Sequence, residues 1–343
     1  MRYSQQICFR HIVMSDWLQA LDWRITRTCV AGACCWAIAA PAGALALPLP
    51  QDGDLIGSDS QVTAEVDDTL IDIAHRNGLG YEEIVNANPD VDPWLPGAGT
   101  VIRLPLRRIL PEVPREGIVV NLPEHRLYYF PPPRPGEERV VISYPVSIGK
   151  MDWHTPIGLT KVVQKVRNPA WYPPESVRAE HEANGDPLPK VVPAGPDNPL
   201  GLFALRLGIP GGAYLIHGTN RPAGVGMQVT HGCMRLYPED IEALFKIVPV
   251  GTPVRLVNQP LKAGWAEGRL YVEVHPPLED ADHNIVAPDR TALARLITHE
   301  LRIKPEPVDW ARAGEAYSEH AGSPVTVTLQ SLAEVPGADA TGR

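Results

Sequence analysis

Short, largely apolar runs mark residues 117–149, where GIVVNL, HRLYYF and RVVISYPVSIG read as strands, the first two joined as a hairpin through Pro123-Glu124. Tyr128 and Tyr129 fall in this pattern as sheet packing. Further on, the short apolar run 213–216 predicts a buried strand, and 241–247 predicts a helix started by Pro238, Glu239 and Asp240. Nearer the N-terminus the period changes. A strand at 62–66, helices at 69–77 and 81–88 and a strand at 100–104 make a βααβ module spanning 62–105, with Asp68 and Thr69 suited to a helix start and Gly78 to its end. The proline-spaced stretch 106–116 reads as a linker, 117–258 as a mainly β domain with short helices, and 259–343 as an extension. In that extension, helical patterns at 287–301 and 308–320 and an alternating 325–329 are expected to pack on the mainly β domain. Residues 168–199 are proline-rich with one helical piece near 176–183, and a long ordered loop of this kind is expected to be a lid or substrate wall.

Composition alters this picture mainly at the start of the chain. Four of the five cysteines, Cys8, Cys29, Cys34 and Cys35, precede residue 40, inside a segment with a basic flank at Arg24 and Arg27, an apolar stretch 28–40 and a small-x-small site at Ala44-Leu45-Ala46. Residues 1–46 therefore read as a cleaved signal peptide. Acylation at Cys34 and an uncleaved anchor over 29–49 are the competing readings. Cleavage leaves an exported, periplasmic chain with Cys233 alone and no stable membrane span. The net charge of −9 argues against binding nucleic acid through bulk electrostatics.

A lone thiol in an oxidising compartment is either buried and inert or used. Its neighbours favour use. His217 lies sixteen residues upstream at the end of the 213–216 strand, and the glycine-rich stretch between them can fold back to bring imidazole to thiol. Such a pair suits acyl transfer from an amide, because imidazole activates the thiol and its protonated form supplies the departing amine. The backbone around Thr230, Gly232 and Cys233 is the candidate for holding an oxyanion. His231 has either a substrate-positioning or a structural role, and Arg235 either meets a substrate carboxylate or pairs with Glu239 or Asp240. His217, His231 and Cys233 are also zinc ligand types, yet no metal spacing or fourth ligand supports a metal, and the chemistry needs no cofactor.

IHGTN, followed after the glycine-rich loop by THGCMRL, resembles the signature of L,D-transpeptidases with a YkuD catalytic domain. VSIGKMDWHTPIG agrees, and VVPAGPDNPLG and EVHPPL resemble a periplasmic, lipoprotein-anchoring subgroup. The resemblance implies a YkuD-like β-sandwich in which Cys233 is the nucleophile, His217 the base and the Gly218 carbonyl its orienter. It further implies a peptidoglycan tetrapeptide substrate, attacked at its third residue with release of D-alanine. The acyl group then passes to a lipoprotein lysine or to another diaminopimelate, and carbapenems are expected to acylate Cys233. Met234 stands where many relatives carry valine, a change between apolar residues. DDTLIDIAHRNG, IVNANP and WLPGAGTVIRLP resemble a LysM module, for which Asn86, Asn88 and Asp90 are either near a sugar groove or simply part of a turn. A glycan-binding scaffold without catalysis, and a hydrolase that uses water as acceptor, are the rival functions.

Overall fold

A computed structural model describes residues 45–149, 155–210, 214–230, 232–278 and 289–329, all within one unit that starts at Pro41. The body of the signal peptide, His231 and the KMDWH portion of the 146–158 motif lie outside the described residues. Cleavage before Leu47 would fall inside a strand, Leu45–Pro48, that pairs with Val140–Ser143. Among the described residues no helix is long and apolar enough to cross a membrane.

The described residues place nine strands in one sheet. Their spatial order is Leu45–Pro48, Val140–Pro145, Arg126–Phe130, Gly117–Asn121, Pro253–Val257, Gly158–Arg167, Phe203–Leu207, Leu215–His217 and Met234–Arg235. The expected sandwich of two sheets is thus one long curled sheet with helices. Its central hairpin is buried on both faces, which explains why it reads as a continuous apolar run. Ile118, Val120, Leu127 and Tyr129 enter the main core, whereas Val119, Tyr128 and Phe130 meet Leu49, Ile56 and Leu110 on the other side. His125 turns the hairpin with φ 53° after a short 3₁₀ turn, Leu122–Glu124.

The βααβ segment contains helices α1, Leu70–Arg76, and α2, Tyr81–Ala87, between the antiparallel strands Ser60–Thr63 and Val101–Leu104. Thr69 caps α1 through a reciprocal box with Asp72. The first strand ends earlier than the alternation suggests, because the Asp68 carboxylate accepts the Glu65 N–H at 2.9 Å and turns the chain there. Leu70, Ile73, Leu79, Ile84, Ile102 and Leu104 give the module its own core.

Helix α3, Glu175–Ala183, lies in the proline-rich segment, and α4, Pro238–Ile247, follows the cysteine loop. The C-terminal helices differ from expectation in what they cover. Helix α5, Arg290–Ile303, and α6, Trp310–Glu319, pack mainly on a separate sheet formed by Leu261–Ala266, Arg269–Val274 and Val325–Thr326, with Leu293, Ile297, Ala313 and Ala316 in a core of their own. Their apolar stripes are satisfied by this local hairpin, which leaves the mainly β domain to be met through a buried polar cluster. In that cluster the Lys262 ammonium lies 2.9 Å from Glu124, 2.7 Å from Glu273 and 2.6 Å from the Ile109 carbonyl.

Candidate active site

Two short parallel strands set the frame. Ile216 pairs with Met234 and His217 with Arg235, so Ile216 and Met234 point into the core while Cys233, His217 and Arg235 share the opposite face. Cys233 is thereby level with Leu215, one step from His217 along that face. Gly232 adopts φ +90°, a left-handed conformation that favours glycine and bends the chain into the thiol position. Its carbonyl accepts the Thr155 hydroxyl at 3.1 Å, and the Thr230 hydroxyl donates to the Cys233 carbonyl. Both hydroxyls thus fix carbonyls of this loop. Thr155 has no sequence signal beyond its place in VSIGKMDWHTPIG.

His217 is buried and donates its Nδ1–H to the Gly218 carbonyl at 2.6 Å, which makes Nε2 the basic nitrogen. Gly218 in turn lies under α4, where an added Cβ would stand 3.0 Å from Ile241. Burial, together with the Arg235 charge, lowers the His217 pKa to about 4 against the favourable Gly218 bond. Burial raises the Cys233 thiol to about 11, opposed by a backbone hydrogen bond at Leu215 and by Arg235. The resting pair is therefore neutral thiol and neutral imidazole. Desolvation is the largest cause for both groups, so burial works against their ion-paired form.

Arg235 forms no ion pair with Glu239 or Asp240; Glu239 meets His75 instead. The Arg235 Nε is buried and has no hydrogen-bond partner among the described residues, and the Arg221 charge acts on it. Asp240 is buried and its pKa rises to about 7, first through desolvation and then through Glu239. On one flank the proline-rich segment meets the site. The Asn220 side chain donates to the Pro196 carbonyl at 3.2 Å, and an added Cβ on Gly201 would stand 2.9 Å from the Thr219 nitrogen. Asn198, fully buried, ties that segment down through the carbonyls of Pro169, Val192 and Pro193.

The candidates for a sugar groove do not act together. Asn88 is buried: its NH2 group donates to the carbonyls of Ile84 and Arg103, and its oxygen accepts the Arg103 N–H at 2.8 Å. It staples α2 to the neighbouring strand and is buried rather than presented to solvent. Asn86 is half-buried and Asp90 is exposed on the following turn. For metals, Glu124, Glu273 and His275 bring ligand atoms within 4.8 Å of one another, far from the thiol in sequence, but the Lys262 ammonium already supplies the positive charge there.

The model of the YkuD L,D-transpeptidase catalytic domain matches residues 115–256. A relative from Escherichia coli, the probable L,D-transpeptidase YcfS, is 45% identical over 249 residues, 71% of this chain and 77% of its own. The chain belongs to the L,D-transpeptidase family. A second Escherichia coli relative, the probable L,D-transpeptidase YbiS, is 40% identical over 83% of this chain and 92% of its own length. Among solved structures, L,D-transpeptidase 3 from Mycobacterium tuberculosis aligns with 48% of this chain and 76% of its own at 20% identity and a TM-score of 0.30. Family membership makes this chain an enzyme of peptidoglycan L,D-transpeptidation.

Proposed function

We propose that Cys233, His217 and the loop at Gly232 carry out this transpeptidation on tetrapeptide stems. The observation that carries the reading is the Nδ1–H bond from His217 to Gly218, which leaves Nε2 as base on the face shared with Cys233. In the first half-reaction Nε2 takes the thiol proton as Sγ adds to the carbonyl carbon of the third stem residue. The oxyanion is held by the backbone N–H groups of Gly232 and Cys233. Collapse breaks the amide bond, and the imidazolium gives its proton to the departing amine of D-alanine. In the second half-reaction an acceptor amine attacks the thioester and loses its proton to His217, and the thiol is regenerated as Sγ leaves.

Arg235, half-buried near the thiol and without an acid partner among the described residues, suits a carboxylate of the stem. The acceptor amine is a lipoprotein lysine or a second diaminopimelate, the former favoured by the subgroup motifs. The proline-rich segment, tied to the loop after His217, forms a wall of the cleft. The βααβ module acts as a LysM-type glycan anchor, a reading supported by exposed Val66, Trp94 and Leu95 on its two loops. The enzyme works in the periplasm after signal cleavage.

Mass spectrometry of diaminopimelate tetrapeptide muropeptides, incubated with wild type or Cys233→Ala and with or without a lysine-ended lipoprotein peptide, tests this reading. D-alanine loss with a new amide-linked product, in wild type alone, is the expected result. Shortened stems without a linked product would indicate hydrolysis, and unchanged stems would favour the non-catalytic scaffold.

A further inference from the structure

The βααβ module is held to the catalytic domain where Arg126 donates to the Gly78 carbonyl and meets Glu83, and at two further points, each connected to one of the two reacting side chains. The first grip is at the start of α2. Tyr81 N–H donates to the Val225 carbonyl at 3.0 Å and Glu82 N–H to the Gly226 carbonyl at 3.4 Å, both on the loop between His217 and Cys233. The approach is close enough that a Cβ on Gly80 would stand 2.8 Å from the Gly226 Cα, and one on Gly226, at φ +85°, only 2.4 Å from the Gly80 Cα. From there the loop passes directly to the thiol. The Met227 carbonyl accepts from Ile148 at 3.2 Å, Gln228–Thr230 pairs with Ile148–Gly149, and Thr230 binds the Cys233 carbonyl.

The second grip is at the end of α1. His75 stacks on Tyr237 with ring centroids 4.0 Å apart and 19° between planes, and its Nε2 meets Glu239. The Tyr237 hydroxyl donates to the Leu79 carbonyl at 3.1 Å. Tyr237 and Glu239 open α4, the helix whose Ile241 packs on Gly218, and Gly218 holds the His217 ring. One module thus braces the cysteine through a loop and the histidine through a helix.

We infer that the βααβ module is a positioning element of the active centre, whose docking sets the relative placement of Cys233 and His217. A misplacement of about 1 Å between reacting groups can cost about a hundredfold in rate, so a brace on both partners acts on turnover more than on substrate affinity. The inference rests on Cys233 being the nucleophile.

Gly80→Ala tests it. Gly80 has φ −92° and ψ 169°, which alanine adopts freely, and the module's core is elsewhere, so the added methyl presses chiefly on Gly226 across the interface. Gly314→Ala, with open space around the added methyl in α6, is the control. The expected result for Gly80→Ala is a kcat lowered about tenfold or more with donor KM little changed, and a displaced pH profile of Cys233 alkylation by iodoacetamide. Gly314→Ala should match wild type in both. Where Gly80→Ala fails to fold, Tyr237→Phe keeps the ring and removes only the bond to Leu79, with an expected kcat loss of about threefold and the same kind of profile shift. A folded Gly80→Ala or Tyr237→Phe with wild-type kcat and alkylation profile overturns the inference. The alkylation arm needs no stem peptide, so it decides the brace even if the reaction assigned to Cys233 is wrong.

Discussion

Replacing Lys262 with methionine leaves two buried carboxylates facing each other without their cation. In the wild type the ammonium is 2% exposed and Glu124 and Glu273 are 1% and 0% exposed, so solvent offers no substitute. Each carboxylate has other partners: Tyr128 and Asn121 donate to Glu124, and Ile109 N–H and His275 to Glu273. These do not cancel two negative charges. Burial alone would raise the Glu124 carboxyl, but Lys262 and then His275 hold it down to about 2. Breaking a buried pair by removing one partner costs about 3–5 kcal/mol, and Lys262→Met is expected to lose that much at pH 8 in urea unfolding followed by tryptophan fluorescence. The pH dependence gives a second handle. In wild type the folded pKa of Glu124 lies below its unfolded value near 4.3, so this stability is present above about pH 4.3 and is lost as the pH falls toward 2. In the variant one carboxylate must take up a proton to remain buried, so its folded pKa rises above the unfolded value. The penalty then grows as the pH rises through that range and is smaller at pH 5 than at pH 8. Adding Glu124→Gln should restore part of the loss. A penalty under about 1 kcal/mol at pH 8, or one equal at pH 5 and 8, would refute the reasoning.

Three further outcomes are expected. Alkylation of Cys233 should accelerate as the pH rises toward about 11, with no plateau near neutrality, because burial keeps the thiol protonated; saturation by pH 7 would show a preformed thiolate instead. Asn88→Ala should destabilise the βααβ module by about 1–3 kcal/mol, since backbone groups of Ile84 and Arg103 lose their partner, while a pelleting assay with insoluble peptidoglycan at low temperature shows unchanged binding. Asp240→Asn should be more stable than wild type at pH 8 and gain little at pH 5. The folded pKa of Asp240, about 7, exceeds its unfolded value, so wild type loses stability as the pH rises from about 4 to 7; an equal Tm difference at both pH values would contradict this.

What the chain reveals by inspection depends on how local the cause is. Asp68 and Thr69, and Pro238 with the acids after it, are start signals within one turn, and α1 and α4 begin beside them. The face shared by Cys233 and His217 follows from the period of two in a pair of short strands, once their parallel register is known. The hairpin Leu261–Val274 was not anticipated, although Glu267 and Gly268, both at positive φ, form its turn between alternating residues. Asn88 beside proline looked like surface turn chemistry, and only the register of Val101–Leu104 shows that its amide is consumed inside. The protonation of the cysteine–histidine pair was out of reach for the same reason, because burial of both groups is a property of the assembled loop, and spacing carries no information about it. The grip of the βααβ module on the 218–232 loop is likewise a tertiary contact, made by two glycines whose sequence context advertises only turns.

The most direct test is intact-mass analysis of the enzyme mixed rapidly with a diaminopimelate tetrapeptide and no amine acceptor, followed by peptide mapping. An adduct of the stem minus D-alanine, carried on the peptide containing Cys233 and released by added amine, is the predicted result. Turnover without any such adduct, or an adduct retained in Cys233→Ala, would contradict the account.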